Sequence, residues 1–426
     1  MGYRHKFWIL TAVIFLLLTA AGCGIGKKEE SSASPTMPGG ILPYTQTPSE
    51  SSGESDPAEI PTVPNAAQPL SPEEAEKREK AAEKAAALAA EMSEEELIYQ
   101  LLVLYPEVVS QDLVVLSANN LLLNEYPVGG LLLRSQNAET EEQVRTMLEG
   151  LQEASRIPML LMAEEEGGRT VTFMKKLGQT SVRNMFSYRG DGLARAFENA
   201  RQLADNLLAL GVNTDLAPVA DVWSQLDNRF IGERAYSDDF VKAGELIAEA
   251  VKGFRNRNMI CTLKYFPGSG AASALEKKNP IAVLNRTEAQ LRRGELIPFA
   301  AGISAGADMV MIGHLQLPEI DSENLAPFSG RLVSGLLREE LGFDGVIVTD
   351  ILELVQKDLF ISPGLSCLKA LGAGCDLLLC PVSDREALAE CMTVMLAALE
   401  AENITRERLE ESVIRILTMK ILHGIL

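Results

Sequence analysis

Eight short apolar runs, separated by longer amphipathic segments, constrain the fold of this 426-residue chain more than any other feature of its sequence. The runs cover residues 101–105, 130–134, 159–163, 212–217, 260–264, 309–313, 345–349 and 376–380. Runs that are apolar throughout, rather than alternating, are typical of parallel strands buried on both faces. The segments between them have helical length and period. Eight βα units in about 330 residues favour an α/β fold of the (β/α)8 TIM-barrel type over an open doubly wound sheet.

The N-terminal 22 residues predict a lipoprotein signal peptide. Arg4 and Lys6 precede an apolar run at residues 7–21, which is about 15 residues long and too short for a permanent span of roughly 20. Residues 18–23 read LTAAGC and resemble a bacterial lipoprotein processing box, which would make Cys23 the lipidated first residue. An uncleaved signal anchor is the alternative. In both cases we expect an exported protein that is tethered to the cell membrane outside the cytoplasm.

Three further segments follow the signal. Residues 23–70 are rich in Ser, Pro, Thr, Gly and Glu, so they cannot bury enough apolar surface to fold and predict a flexible, disordered tether. Residues 71–92 predict an Ala- and Glu-rich helix, because Ser71 can cap it and Pro72 suits its first position. Residues 93–426 predict the barrel.

Charge and residue usage exclude several classes of ligand. The chain has 59 acidic and 39 basic side chains, a net charge of −20, which would repel nucleic acid. Cys23 leaves five cysteines, most of them in apolar runs, and we interpret these as buried free thiols. The histidines His5, His314 and His423 give no zinc-ligand spacing. We therefore expect no cofactor and no metal, and nothing in the sequence indicates an oligomeric state.

Polar residues follow the predicted strands at the positions where a barrel carries its chemistry. Carboxylates and cations of this kind bind neighbouring hydroxyl groups, so they predict a hydroxyl-rich ligand such as a glycan or a small glycoside. The candidate substrate-binding residues are Glu164, Arg234, Lys264, Tyr265 and His314, and Asp350 ends the seventh run.

Seven motifs occur in an order and spacing that resemble glycoside hydrolase family 3, in its single-domain β-N-acetylhexosaminidase branch. They are residues 130–134, the turn at 164–169, APVADV at 217–222, IGERAYSDD at 231–239, KYFPGSG at 264–270, LREELGFDGVIVTD at 337–350 and SVIRIL at 412–417. The resemblance implies a TIM-type barrel and an exo-acting glycosidase that hydrolyses O-glycosyl bonds with retention. With the surface location, it implies β-linked N-acetylglucosamine in peptidoglycan as the substrate class.

The resemblance also assigns roles to single residues. Asp350 matches the catalytic nucleophile, which would form a glycosyl-enzyme intermediate. Arg234 and Lys264 match ligands of the sugar hydroxyls, and Glu164 stands where the family usually has an Asp. Structural alternatives exist for each: Asp350 as a surface or helix-capping residue, the 164–166 turn as a solvated acidic turn, and Arg234 as the partner of a neighbouring acid.

Several positions depart from the family pattern. Tyr265 and Ser269 replace the two histidines of its KHFPGHG motif, and Leu275 and Lys277 occupy the positions of the Asp and His that act as general acid and base. Two hypotheses follow. In the first, the chain is a weakened glycosidase in which Glu276, the only acid of that loop, protonates the leaving oxygen. In the second, it is an inactive glycan-binding or scaffold lipoprotein.

The processing box yields a direct prediction. Metabolic labelling with a fatty acid should mark the wild-type protein but not Cys23→Ser, because the substitution removes the thiol that carries the lipid. Detection of labelled protein after gel electrophoresis measures this. Label that persists in Cys23→Ser would contradict the lipoprotein interpretation.

Overall fold

A ring of eight parallel strands forms the centre of the protein. The structure, a computed structural model, describes residues 71–110, 123, 125–179, 182–273, 281–380, 382 and 384–426. The signal peptide, Cys23 and the tether lie outside these residues. The strands are β1 (Leu102–Leu104), β2 (Gly130–Leu132), β3 (Leu160–Ala163), β4 (Thr214–Asp215), β5 (Ile260–Phe266), β6 (Met309–Ile312), β7 (Val346–Thr349) and β8 (Leu378–Leu379).

The strand order and the closure of the ring confirm the predicted (β/α)8 barrel. Neighbouring strands pair in parallel in the order β7-β6-β5-β4-β3-β2-β1-β8. A parallel bridge between Val348 and Leu377 closes the ring, and the Thr349 amide donates to the Leu377 carbonyl at 3.0 Å. Each of the eight apolar runs therefore contributes one strand, and these strands are buried throughout.

Helices surround the ring, and most of the longer ones begin at a polar cap. Ser71 caps the first helix in a capping box with Glu74, as the sequence indicates. None of the described helices is long and apolar enough to cross a membrane. The helices are α1 (Pro72–Ala90), α2 (Glu94–Leu101), α3 (Pro106–Ser110), α4 (Glu141–Ala154), α5 (Leu193–Leu208), α6 (Phe240–Asn256), α7 (Glu288–Arg293), α8 (Leu296–Ser304), α9 (Glu353–Leu359), α10 (Pro363–Ala373), α11 (Arg385–Glu400) and α12 (Arg406–Leu422).

Short elements decorate the loops between strands and helices. Strands Glu165–Gly167 and Thr170–Val171 form an antiparallel hairpin directly after β3. A second small sheet joins Ala282–Val283, Leu315–Leu317 and Asp321–Leu325. A π-helix covers Arg331–Glu340, and single 3₁₀ turns lie at Ser135–Asn137, Met185–Tyr188, Gly232–Arg234 and Ala326–Phe328.

One predicted helix is divided in two. The sequence pattern predicts a continuous helix over residues 288–305, but α7 ends at Arg293 and α8 begins at Leu296. Pro298 explains the break, because a proline inside a helix has no N–H to donate to the residue four positions earlier. In the observed arrangement Pro298 lies in the first turn of α8, where no such hydrogen bond is needed.

The core contains one lysine without a charged partner. Lys420 of α12 is fully buried, and its Nζ donates to the Gln100 Oε1 at 3.0 Å. The Gln100 amide in turn donates to the carbonyl of Pro127 at 2.5 Å. Burial lowers the pKa of Lys420 to about 7, because an ammonium loses its hydration in the core.

This lysine should make stability depend on pH. Between the folded pKa near 7 and the unfolded value of about 10.4, the unfolded chain binds the extra proton, so stability should rise with pH in that window. One proton contributes at most about 1.4 kcal/mol per pH unit. Urea unfolding at pH 7, 8 and 9 measures how the free energy of unfolding changes with pH in the wild type and in Lys420→Met.

Lys357→Met is the matched control, because its side chain is 81% exposed. It should follow the wild-type pH dependence, whereas Lys420→Met should lose the contribution that rises with pH. Parallel curves for wild type and Lys420→Met would contradict the lowered pKa.

Candidate active site

The carboxyl ends of the strands bring polar side chains to one end of the barrel. Five of the strands, β1, β2, β3, β6 and β7, are each followed within two residues by a polar side chain. In strand order these are Tyr105, Arg134, Glu164, His314 and Asp350. Since parallel strands end at the same face of the ring, residues far apart in sequence meet there. This end of the barrel is the candidate active site.

Glu166 is the centre of a buried ion cluster at this face. Its carboxylate accepts a bidentate pair of hydrogen bonds from Arg234, from Nε at 2.8 Å and from Nη2 at 2.7 Å. The Lys264 Nζ lies 2.5 Å from the Glu166 Oε1. Burial opposes ionisation of Glu166, but the charges of Lys264 and Arg234 outweigh it and lower its pKa to about 2. Glu166 therefore stays charged at any physiological pH.

Lys264 links this cluster to Glu164. The lysine is in β5 and its side chain is fully buried, whereas the Glu164 side chain is 35% exposed. The Lys264 Nζ donates to the Glu164 Oε1 at 2.9 Å. Burial lowers the pKa of Lys264, but the two carboxylates outweigh this and raise it above its usual value. A charged lysine and a half-exposed carboxylate thus stand side by side, an arrangement suited to paired sugar hydroxyls.

Arg234 uses most of its donors within the protein. Besides Glu166, its Nη2 donates to the Tyr265 hydroxyl at 2.6 Å, and its Nη1 donates to the Phe230 carbonyl at 3.1 Å. A guanidinium has five N–H groups, so these four bonds leave one. Arg234 therefore pairs with a neighbouring acid. Tyr265, which replaces the first histidine of the motif, accepts a hydrogen bond from that arginine.

Two further carboxylates are buried beside the cluster without a cation of their own. Burial raises the pKa of Glu165 to about 7, although its Oε2 accepts from the amides of Thr172 and Phe173 at 2.9 and 3.0 Å. Burial likewise raises the pKa of Asp215 well above its usual value. Their carboxyl groups support the hairpin after β3: the Asp215 Oδ1 accepts from the Glu165 amide at 3.0 Å.

Asp221 holds the loop that follows β5. It accepts from the Ser269 amide at 2.5 Å, the Ser269 hydroxyl at 2.9 Å and the Gly270 amide at 2.8 Å. A side chain at Gly270 would place its Cβ 1.7 Å from the Val222 carbonyl oxygen, so only glycine fits. Ser269, which stands where the family motif has its second histidine, is thus a structural anchor for this loop.

Asp350 and His314 face each other at the ends of β7 and β6. The Asp350 Oδ1 accepts from the Ile351 amide at 2.7 Å, and its Oδ2 lies 4.0 Å from the His314 Nδ1. The distance is too long for a hydrogen bond. Burial lowers the pKa of His314, so its imidazole is neutral near pH 7. The His314 Nε2 is buried and has no hydrogen-bond partner among the described residues.

A pocket of about 210 Å³ opens between Glu164 and the ends of β1, β2 and β7. Its lining includes Tyr105, Arg134, Glu164, Thr172 and Ile351. The Arg134 guanidinium lies 3.5 Å above the Tyr105 ring and pairs with Glu107 just outside the pocket. Thr172 donates its hydroxyl to the Glu164 carbonyl at 2.9 Å. The pocket therefore has an acidic wall and a basic wall.

The structure brings six of the seven predicted catalytic and substrate-binding residues to one face of the barrel. Glu164, Lys264, Arg234 and Tyr265 form one connected group through Glu166, and Asp350 with His314 forms a second. Glu276 lies outside the described residues, as do Leu275 and Lys277. Sequence reasoning did not single out Glu166 or Arg134. The direct adjacency of Glu166 to the Gly167-Gly168 turn and of Arg134 to β2 was the available signal.

Comparison with known proteins identifies the family of the barrel. The family model "Glycosyl hydrolase family 3 N terminal domain" matches residues 95–419. The chain is 35% identical over 268 residues to a protein named beta-hexosaminidase of Xylella fastidiosa, covering 60% of this chain and 77% of that protein. It is 28% identical over 324 residues to beta-hexosaminidase A of Pseudoalteromonas piscicida, covering 70% of this chain.

A solved structure has the same barrel. The glycoside hydrolase family 3 beta-N-acetylglucosaminidase of a Paenibacillus species superposes with a TM-score of 0.72 at 31% identity. The alignment covers 78% of this chain and 63% of that one. The chain also spans only 54% of the length of the Pseudoalteromonas protein. The match therefore concerns the barrel.

The buried cluster generates a prediction about stability. Glu166→Gln should lower the free energy of unfolding by about 3–5 kcal/mol, because it leaves two buried cations without their shared carboxylate. Glu245→Gln is the matched control: its side chain is 53% exposed, so its loss should cost about 0.5 kcal/mol or less. Urea unfolding at neutral pH measures both. A change below about 1 kcal/mol for Glu166→Gln would contradict the electrostatic role of the cluster.

Proposed function

Because the chain belongs to glycosyl hydrolase family 3, we propose that it is an exo-acting, retaining glycosidase of the β-N-acetylhexosaminidase type. The observation that carries this proposal is the position of Asp350, whose carboxylate follows β7 at the same end of the barrel as the Glu164–Lys264 pair. Its proposed substrates are glycans that end in β-linked N-acetylglucosamine, of which peptidoglycan is the one an exported protein meets.

Each proposed step uses a group at the barrel mouth. Glu164 accepts hydrogen bonds from neighbouring hydroxyls of the terminal sugar, and the buried Lys264 holds the Glu164 carboxylate in place, so that the anomeric carbon lies toward Asp350. The Asp350 carboxylate attacks that carbon, the glycosidic bond breaks, and a covalent glycosyl-enzyme forms. Water then attacks the same carbon, the bond from that carbon to Asp350 breaks, the proton of the water passes to solvent, and the sugar is released with net retention. The Ile351 amide, 2.7 Å from the Asp350 Oδ1, holds the carboxylate during attack.

Protonation of the leaving oxygen is the weak step in this proposal. The family's acid/base pair is replaced by Leu275 and Lys277. His314 is neutral near pH 7 because burial lowers its pKa, which makes it a poor proton donor there. Glu276 is the remaining acid of that loop. A site without efficient general-acid help loses on the order of 10²- to 10⁴-fold in rate.

The alternative function uses the same contacts without turnover. A barrel that keeps Glu164 and Lys264 but lacks the acid would bind terminal sugars and act as a glycan-binding or scaffold lipoprotein. Lipid at Cys23 would hold either form at the outer face of the cell membrane, with residues 23–70 as the tether that gives the barrel its reach.

The proposed nucleophile can be tested with an activated substrate. Asp350→Asn should reduce hydrolysis of an aryl β-N-acetylglucosaminide by about 10³-fold or more, because the amide cannot form the glycosyl-enzyme. Binding of N-acetylglucosamine, measured by calorimetry, should persist. Asp358→Asn is the matched control, since this aspartate is exposed on α9, and it should keep wild-type activity. Full activity in Asp350→Asn would refute the assignment.

A series of leaving groups separates the two functions in the same assay. With no efficient acid, the rate should fall steeply as the leaving-group pKa rises. If Glu276 is the acid, the wild type should show a shallow dependence, and Glu276→Gln should slow only the poor leaving groups. Sugar binding without hydrolysis of any substrate in the series would overturn the glycosidase proposal and favour the binding protein.

A further inference from the structure

Three buried cysteines that are not part of the candidate active site lie close together. Cys367 is in α10, Cys380 follows β8 and Cys391 is in α11, and each is at most 1% exposed. Their sulfur atoms all lie within 4.8 Å of one another, and the Cys367 and Cys391 sulfurs are 4.0 Å apart. None of the three forms a disulfide. We call these three residues the thiol cluster.

Close packing of α10 and α11 creates the cluster. A Cβ at Gly364 would come 2.6 Å from the Val394 Cβ and 3.1 Å from the Cys391 carbonyl oxygen, so the absence of a side chain lets the two helices approach. Cys367 lies three residues after Gly364, on the same face of α10. The close approach of the two helices therefore directs the Cys367 thiol toward Cys391. Cys380, which follows β8, contributes the third thiol.

We propose that the thiol cluster binds one thiophilic d¹⁰ metal ion, Cu(I), as a three-coordinate site. A triangle whose sides are at most 4.8 Å has its centre at most about 2.8 Å from each corner, and metal–thiolate bonds are about 2.3 Å long. A contraction of about half an ångström or less would thus bring all three sulfurs into bonding distance. Thiolates are the soft ligands that select Cu(I) and Zn(II) over hard cations.

The number of ligands favours Cu(I) over Zn(II). Structural zinc takes four protein ligands in a tetrahedron. Within the described part of the chain, the candidate ligand group consists of Cys367, Cys380 and Cys391 alone, without a His, Asp or Glu. All three are buried in the hydrophobic core, where no solvent water reaches the centre to complete a tetrahedron. The Gln356 side chain hydrogen-bonds to Cys380 and to the Ser366 hydroxyl, and so supplies a polar contact to one ligand.

Metal binding at this site is a ligand exchange without a redox step. Each cysteine that ligates Cu(I) loses its thiol proton to solvent, so one ion releases up to three protons and binds more tightly as the pH rises. The expectation of no metal from the sequence rested on the spacing of ligands along the chain. Cys367, Cys380 and Cys391 are 13 and 11 positions apart, which matches no metal-binding spacing, and the packing of α10 on α11 brings them together.

Anaerobic titration of the reduced, full-length protein with Cu(I), in competition with a chromogenic chelator, tests the proposal. Wild type should bind one equivalent, with an ultraviolet sulfur-to-copper charge-transfer band and a raised melting temperature. Cys380→Ser and Cys391→Ala should each weaken binding by about tenfold or more. Cys375→Ser is the matched control, because this thiol is buried but outside the cluster, and it should bind as wild type does.

Cu(I) binding is measured without any hydrolysis, so the outcome of this test is independent of the proposed glycosidase activity. Circular dichroism establishes that each variant is folded, and the two variants remove different ligands in case one does not fold. No saturable site in the folded wild type would overturn the proposal. Tighter binding of Zn(II) than of Cu(I) would also overturn the proposal. So would a count of free thiols in denaturant that is two lower than the number of unmodified cysteines, because it would reveal a disulfide.

Discussion

A single buried carboxylate, Glu166, organises the functional end of this barrel. It joins the hairpin after β3 to Lys264 of β5 and to Arg234 of the loop after β4, across 68 residues of sequence in the case of the arginine. A buried charge of this kind is tolerated only when its partners satisfy it, and the removal of one partner is expensive. The cluster therefore keeps Lys264 in place, and Lys264 in turn orients Glu164, the group that faces the pocket.

The same cluster brings carboxyl groups with opposite pKa shifts into a small volume. Glu166 has two cations and a lowered pKa, whereas Glu165 and Asp215 have none and burial raises theirs. Asp350 lies apart from this cluster: its side chain is 16% exposed, and its Oδ1 accepts a hydrogen bond from the Ile351 amide. A carboxylate with a solvent-facing oxygen is what nucleophilic attack requires.

Packing of the outer helices on the ring decides the other features of the molecule. The close approach of α10 and α11 at Gly364 assembles the thiol cluster, and α12 buries Lys420 against Gln100. At β8, Asp376 is fully buried and pairs with Arg338 and Arg415, which ties the last strand to the helices on either side. The thiol cluster and the Lys420–Gln100 contact lie outside the seven motifs, so the family resemblance carries no information about them.

The sequence by itself determined the eight strands, their parallel arrangement and the strand-end positions of Glu164, His314 and Asp350, because local periodicity reports burial and a barrel puts strand ends together. It did not determine the break before α8, which depends on where Pro298 can be accommodated. Only the tertiary structure decided that Arg234 is committed to Glu166, that Arg134 forms the basic wall of the pocket, and that three distant cysteines meet. Each of these rests on side chains tens to hundreds of residues apart, and their distances are set by packing rather than by any pattern along the chain.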